Sequence, residues 1–309
     1  MYAFETNQIT KKYGDHTVVN KVDLNVTQGH IFGFLGKNGA GKSTFINMVT
    51  GITTPTSGDF KILGSGEITE DKIKRRIGVL PDYSTFYDDL TGIEHLKFLG
   101  NVLGVRRSKA DLIALLERVE LGDAIKTKTK KYSFGMKKKL GVAQALINDP
   151  DLIFLDEPTS GVDANAVLNI HSLIKNVAAE GKTIFLTSHN LNEVEKLCDE
   201  IAIMDKGIIQ AQGSMEQLRH KYQSQLTVKV KHGKIPIEHK AGLQQIFEKI
   251  GKDIEWGTEN TSLVVAEESS IPVINRAFSN TKVDIYRLEV NEPSLEEIFR
   301  NLGSGQRGA

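Results

Sequence analysis

Gly36-Lys37-Asn38-Gly39-Ala40-Gly41-Lys42-Ser43-Thr44 follows directly on the apolar run Ile31-Phe32-Gly33-Phe34-Leu35. The run reads as a buried strand, the glycine-rich stretch has the form G-x-x-x-x-G-K-[ST], and a helix is expected from about Lys42. Strand, glycine loop and helix in that order form a phosphate cradle. Glycines let successive backbone N–H groups turn inward on phosphate oxygens, where side chains would crowd them. The helix N-terminus adds the positive end of its dipole. Lys42 is placed to neutralise the outer phosphates and the Ser43 hydroxyl to meet Mg²⁺. Gly36, Asn38, Gly39, Gly41, Lys42, Ser43 and Thr44 are the candidate phosphate-binding residues, and a nucleoside triphosphate is the ligand the motif predicts.

Other apolar runs end in polar residues in the same way. Ile77-Gly78-Val79-Leu80 leads to Pro81-Asp82, Leu152-Ile153-Phe154-Leu155 to Asp156-Glu157, and Thr183-Ile184-Phe185-Leu186-Thr187 to Ser188-His189. Runs this apolar belong to strands covered on both faces, as in a parallel sheet flanked by helices. In such sheets ligands sit beyond the carboxyl ends of the strands. The fold class predicted is α/β, a mainly parallel sheet with a helical insertion over about 83–150, where the patterns at 92–103, 108–119 and 133–148 are helical. A helix is expected over Ala164 to Glu180, stopped at Gly181. A strand pair at 201–204 and 208–210 closes the first domain near 220. Residues 221–302 then read as strand, helix, two strands, helix and strand, a small α+β domain of ferredoxin-like order. A last amphipathic helix, Pro293-Ser294-Leu295-Glu296-Glu297-Ile298-Phe299, and an unstructured tail over 303–309 complete the expectation.

The chain has 309 residues, with 39 Lys and Arg against 39 Asp and Glu. That balance gives no global pull toward nucleic acid. The single Cys198 excludes an internal disulfide framework and fits a reducing compartment. No apolar stretch approaches the roughly 20 residues that span a bilayer, and no signal peptide is visible, so any membrane crossing is expected from another chain.

In this order and spacing the motifs resemble those of the nucleotide-binding subunit of ATP-binding cassette (ABC) transporters, over residues 1 to about 220. The resemblance implies ATP and Mg²⁺ as cofactors and a role for each strand-end residue. Asp156 would hold the metal with Ser43, and Glu157 would orient or deprotonate the attacking water. Tyr132-Ser133-Phe134-Gly135-Met136 stands where the family carries Leu-Ser-Gly-Gly-Gln. Ser133 can cap the next helix, and with the Gly135 N–H it would meet the γ-phosphate held by an opposite subunit. Phe134 departs from the pattern by placing a side chain where there is usually none. His189 resembles the switch histidine. Ser160-Gly161-Val162-Asp163 matches the loop that couples two cassettes and is also a capping turn for the helix from Ala164. Tyr13, before the Gly14-Asp15 turn, resembles the aromatic that stacks on adenine. Asp82 stands where the family has a glutamine, or in some members a glutamate, that reaches the metal; it is one methylene shorter, and the resemblance implies a metal-sensing role for it.

The resemblance further implies two cassettes closing head to tail around ATP, either two copies or this chain with a related subunit. It implies a separate transmembrane permease, a place on the cytoplasmic face of the cell membrane, and no nucleic-acid partner. Leu90-Thr91-Gly92-Ile93-Glu94-His95-Leu96, the helix after Ser133 and the Pro-Ser-Leu-Glu-Glu-Ile-Phe ending are similar to ABC-2 type exporter ATPases, which handle drugs, antimicrobial peptides, lipids or polysaccharides. Two alternatives are an ABC ATPase outside transport, such as an iron–sulfur assembly ATPase, and a regulatory or immunity module. The basic run Lys128, Lys130, Lys131 and Lys137-Lys138-Lys139 is expected to be a solvated face.

Overall fold

In the computed structural model, which describes residues 1–66, 71–82, 85–222 and 226–291, the chain separates into two units, Met1–Met215 and Glu216 onward. The first opens with two long antiparallel strands, β1 (Tyr2–Tyr13) and β2 (His16–Thr27), which meet at the Gly14-Asp15 turn. Strand β3 (Ile31–Leu35) is wholly buried and feeds the glycine loop and helix α1 (Lys42–Val49). Strand β4 (Ser57–Ile62) then pairs antiparallel with β1, giving a three-stranded sheet β2-β1-β4.

The second sheet carries the strand-end residues. After the short helix α2 (Asp71–Lys74) come β5 (Ile77–Leu80), β6 (Leu152–Asp156), β7 (Thr183–Ser188), β8 (Glu200–Asp205) and β9 (Ile208–Ser214). Their order is β5-β6-β7-β3-β8-β9. The first five run parallel and β9 returns antiparallel along the edge. The parallel α/β architecture expected from the apolar runs is therefore the one observed. Six phenylalanines fill the space between the two sheets and α1. Phe34 meets Phe45 at 4.9 Å, Phe4 meets Phe185 edge-on at 5.2 Å, and Phe32 stacks on Phe185 at 5.6 Å, with Phe154 beside them. Such pairs add about 0.5–1.5 kcal/mol each beyond area burial, so the strand carrying the glycine loop is fixed from both sides.

Between β5 and β6 the chain is helical. Helix α3 (Gly92–Val102) and helix α4 (Lys109–Arg118) each begin with a reciprocal capping box, Thr91 with Glu94 and Ser108 with Asp111. These two caps explain why the sequence pattern located the helices closely. Helix α5 (Phe134–Ala145) begins at Ser133. Helix α6 (Ala164–Ala179) is capped by Asp163, whose Oδ1 accepts from Asn165 N and Ala166 N at 3.1 and 3.0 Å. Helix α7 (Leu191–Leu197) follows β7 with Asn190 as its cap.

Helix α8 (Met215–Tyr222) leads to the second unit, with β10 (Leu226–His232), α9 (Ile237–Ile250), β11 (Gly251–Trp256), β12 (Asn260–Val265), α10 (Ser270–Asn280) and β13 (Ile285–Asn291). The sheet is fully antiparallel in the order β11-β12-β10-β13, with the element order of a ferredoxin-like unit. It has its own core, including Val228, Val230, Phe247, Leu263 and Phe278. The helix expected over Pro293–Phe299 and the tail over 303–309 lie outside the described residues.

The basic run is not the uniform solvated face expected. Lys128 and Lys130 are exposed and pair with Asp89 at 3.3 and 2.8 Å. Lys139 pairs with Glu120 at 2.5 Å. Lys138 is only 5% exposed. Helix α5 packs against β5 and β6, so one side of a polar-looking stretch faces the sheet.

Candidate functional site

The glycine loop is shaped by its backbone. Gly41, the cap of α1, has φ +109°, and a Cβ there would lie 2.7 Å from the Val18 carbonyl oxygen. A Cβ on Gly36 would lie 2.5 Å from the Met204 carbonyl oxygen. Both positions exclude a side chain, one on conformation and space together. Phe45 N bonds Gly41 O at 2.9 Å, the first turn of α1. The buried Lys42 folds back into the loop, and its Nζ donates to Gly36 O at 2.7 Å and Lys37 O at 3.4 Å. Lys37, Asn38, Gly39 and Ser43 are exposed, and Thr44 is half-buried.

Glu157 lies one residue beyond β6, with its own backbone at φ 49°. Its Oε1 is 3.6 Å from Lys42 Nζ, and its Oε2 is 2.8 Å from His189 Nδ1. A carboxylate only accepts, so the short contact makes His189 Nδ1 the donor. Oε1 is buried and has no hydrogen-bond partner. Thr187, wholly buried on β7, joins the Asp156 carboxylate to the Glu157 backbone. Its Oγ1 donates to Asp156 Oδ1 at 2.5 Å and accepts from Glu157 N at 2.9 Å. Asp156 and Thr187 are register partners across the parallel ladder, so the sheet itself sets this contact. Lys42, Asp156, Glu157, Thr187 and His189 thus meet at the ends of β3, β6 and β7.

The remaining sequence-selected residues stand on other elements. Among the described residues no side-chain hydrogen bond joins Tyr13, Ser133 or Gly135 to this group. Tyr13 is 53% exposed at the end of β1, with Lys11 Nζ 5.1 Å from its ring centroid. Ser133 caps α5, its Oγ accepting from Met136 N at 3.2 Å. Phe134 lies against the Ser160–Asp163 loop, where a Cβ on Gly161 (φ +76°) would meet its ring at 3.1 Å. Asp82 sits just past β5, its Oδ1 3.5 Å from Lys138 Nζ.

Two residues went unread in the sequence. In the sequence Thr187 reads as part of an apolar strand, and Lys138 as part of a charge run. A third group, Thr159 and Glu193, is joined at 2.6 Å. Burial pushes the Glu193 carboxyl up, but His171 and Thr159 hold it below the usual carboxylate range. These residues line a cavity of 610 Å³ with Glu157, Gly161 and His189.

Residues 19–160 match the family model described as ABC transporter, and residues 213–302 match the C-terminal domain of ATP-binding proteins described as DrrA1-3-like. The bacitracin transport ATP-binding protein BcrA of Bacillus licheniformis is 34% identical over 97% of this chain and 97% of its own length. The chain belongs to the ABC transporter ATP-binding family. The Nod factor export ATP-binding protein I of Rhizobium etli is 31% identical over 98% of this chain and 93% of its own. A solved ATP-binding subunit of an ABC transporter superposes with a TM-score of 0.64 at 27% identity, covering 71% of this chain and 93% of that one. This ABC protein is a nucleotide-binding ATPase subunit, the kind that powers transport through a separate permease. Among the described residues no helix is long and apolar enough to cross a membrane.

Proposed function

We propose that the chain binds ATP with Mg²⁺ on the glycine loop and hydrolyses it between two head-to-tail cassettes, driving export by a permease from the cytoplasmic face of the membrane. The observation that carries this is the meeting of Lys42, Asp156, Glu157 and His189 at neighbouring strand ends. The residues fit the metal. The Asp156 carboxylate and the exposed Ser43 hydroxyl are hard oxygen donors, and Glu157 Oε1, buried without a hydrogen-bond partner, lies 3.6 Å from Lys42 Nζ. Mg²⁺, when bound, neutralises charge between the outer phosphates.

The chain's own residues divide the remaining work. Lys42 exchanges the carbonyls of its loop for phosphate oxygens. His189 holds Glu157 Oε2, which leaves Oε1 to take a proton from water. The water oxygen then bonds to the γ-phosphorus as the bond to the bridging oxygen breaks, and ADP leaves with that electron pair. Ser133 and the Gly135 N–H stand on a helix N-terminus outside this group, which suits phosphate binding in trans. Tyr13 offers its exposed face to adenine, and Asp82 is assigned a metal-sensing position. The cassette comprises residues 1–220, with about 83–150 as its helical subdomain, and 221–302 form an accessory domain.

The exporter reading and a cargo such as an antimicrobial peptide, drug, lipid or polysaccharide are supported by likeness to bacitracin and Nod factor export proteins. Glu157→Gln is the deciding variant. It is expected to lose ATP hydrolysis while ATP shifts the protein, with its permease, to a dimer of cassettes in size-exclusion chromatography. Hydrolysis at the wild-type rate, or no ATP-dependent dimer, would contradict the proposal.

A further inference from the structure

Lys138 is a buried cation outside the reacting group. It lies one turn into α5 and is 5% exposed. Its Nζ donates to Glu157 O at 2.9 Å and to Asp82 O at 3.1 Å, and stands 3.5 Å from Asp82 Oδ1. The Phe134 ring centroid is 5.8 Å away. One ammonium therefore donates two hydrogen bonds and makes one ion pair at the ends of two strands, β5 and β6, from a helix that belongs to neither.

Burying an ammonium is costly, and a packed neutral side chain often holds a fold equally well or better. A cation here is informative because of what it holds. Glu157 has a left-handed backbone, uncommon for a residue with a Cβ. Its N–H is held by Thr187 and its C=O by Lys138. The two bonds fix the peptide groups on either side of Glu157, and so the direction in which its carboxylate leaves the chain. Thr187 supplies its half from inside the sheet. Lys138 supplies the other half from the helix that begins at Ser133, and it carries Asp82 with it.

We infer that Lys138 is a positioning residue for hydrolysis, joining the orientation of Glu157 to the placement of helix α5 and of Asp82. The inference rests on Glu157 being the base. It makes Asp82 the counter-charge of Lys138 as well as a residue near the metal. Displacing α5 or the strand end at Asp82 then disturbs the Glu157 carbonyl directly, without acting on the glycine loop.

The test is steady-state ATP hydrolysis of the full-length protein with its permease, together with the affinity of a fluorescent ATP analogue. The variants are Glu157→Gln, Lys138→Met, Asp82→Asn and the Asp82→Asn/Lys138→Met pair. Lys138→Met is expected to lower kcat by about tenfold or more, the scale of one lost charge-assisted hydrogen bond. KM and analogue affinity should stay within about threefold, because the glycine loop is untouched. Asp82→Asn should lower kcat in the wild-type background and have little added effect once Lys138 is methionine, since the two act as one unit. A Lys138→Met protein with wild-type kcat overturns the inference, as does one that loses affinity and kcat in equal measure. Should Lys138→Met fail to fold, Lys138→Gln decides, because the amide cannot hold both carbonyls and the Asp82 carboxylate: reduced kcat at unchanged affinity supports the inference, and unchanged kcat overturns it. Glu157→Gln separates the two levels. If it still hydrolyses ATP, the assignment of the base falls; if it is inactive while Lys138→Met is fully active, only the role of Lys138 falls.

Discussion

Replacing Thr187 by valine removes one hydroxyl and almost no volume, so no cavity term enters. The hydroxyl is wholly buried and makes two contacts, as donor to Asp156 Oδ1 at 2.5 Å and acceptor from Glu157 N at 2.9 Å. Losing a hydrogen bond to a charged group costs about 1.5–3 kcal/mol, and leaving a buried N–H unsatisfied costs about 1–3 kcal/mol. The two share a centre and are not strictly additive, so about 3 kcal/mol is the expected loss. For a unit of this size each kcal/mol shifts the melting midpoint by about 2–4 °C. Calorimetry of Thr187→Val should therefore show the first unit melting about 6–12 °C below wild type. Thr187→Ser is the control: it keeps the hydroxyl and loses a methyl worth about 0.8 kcal/mol. ATPase activity should follow the same order, because the hydroxyl orients both carboxylate residues. A valine variant within about 1 kcal/mol of wild type would refute the bridging role, as would valine and serine variants of equal stability.

Tyr13→Ala should weaken fluorescent ATP-analogue binding by about 1–3 kcal/mol, the worth of one base–aromatic contact, while Tyr13→Phe binds as wild type; equal affinity in the alanine variant would remove Tyr13 from the adenine site. His95 lies in an aromatic setting, 5.0 Å from Phe86 and 5.9 Å from Tyr87. Burial holds its pKa below the usual histidine value, against a bond from Gln144 that raises it. The folded chain then binds fewer protons than the unfolded one. Stability from neutral His95 is full above about pH 6.5 and is lost as pH falls through the folded value. Urea midpoints from pH 7.5 downward should fall more steeply for wild type than for His95→Gln, and parallel curves would exclude His95 as the source. Burial pushes the Cys198 thiol far up, with Asp199 adding to it. Ellman's reagent should leave it unmodified in the native protein and react fully in urea; rapid native labelling would mean the segment after α7 opens.

The parallel sheet and the glycine loop were legible because their signals are local. Five apolar residues before a glycine loop leave little choice, and the capping boxes at Thr91 and Ser108 mark helix starts within a residue or two. The sheet β2-β1-β4 was not legible. Its long strands carry register shifts between Thr6 and Ile9 and between Ile9 and Lys11, with Gln8 and Lys21 at positive φ. These bulges break the alternation that announces a half-buried strand. Within the site, Asp156, Glu157 and His189 stood out as polar residues ending apolar runs. Thr187 did not, because a β-branched residue inside a strand looks like packing. Lys138 was hidden by its neighbours: among three consecutive lysines, only the helical rotation decides which one faces the sheet, and that depends on contacts with β5 and β6 far away in sequence.

The register pairing of Asp156 with Thr187 has a consequence for motion. Both belong to central strands flanked by partners on each side, β6 by β5 and β7, β7 by β6 and β3. Amides in such strands exchange with solvent only when the whole unit opens. Helix α5, which brings Ser133 and Lys138, belongs to the insertion between β5 and β6 and is not stitched into a ladder. Deuterium uptake should therefore divide the machinery by timescale. The carboxylates ride on a slowly exchanging frame, while the parts that meet them from outside breathe many times for each opening of that frame.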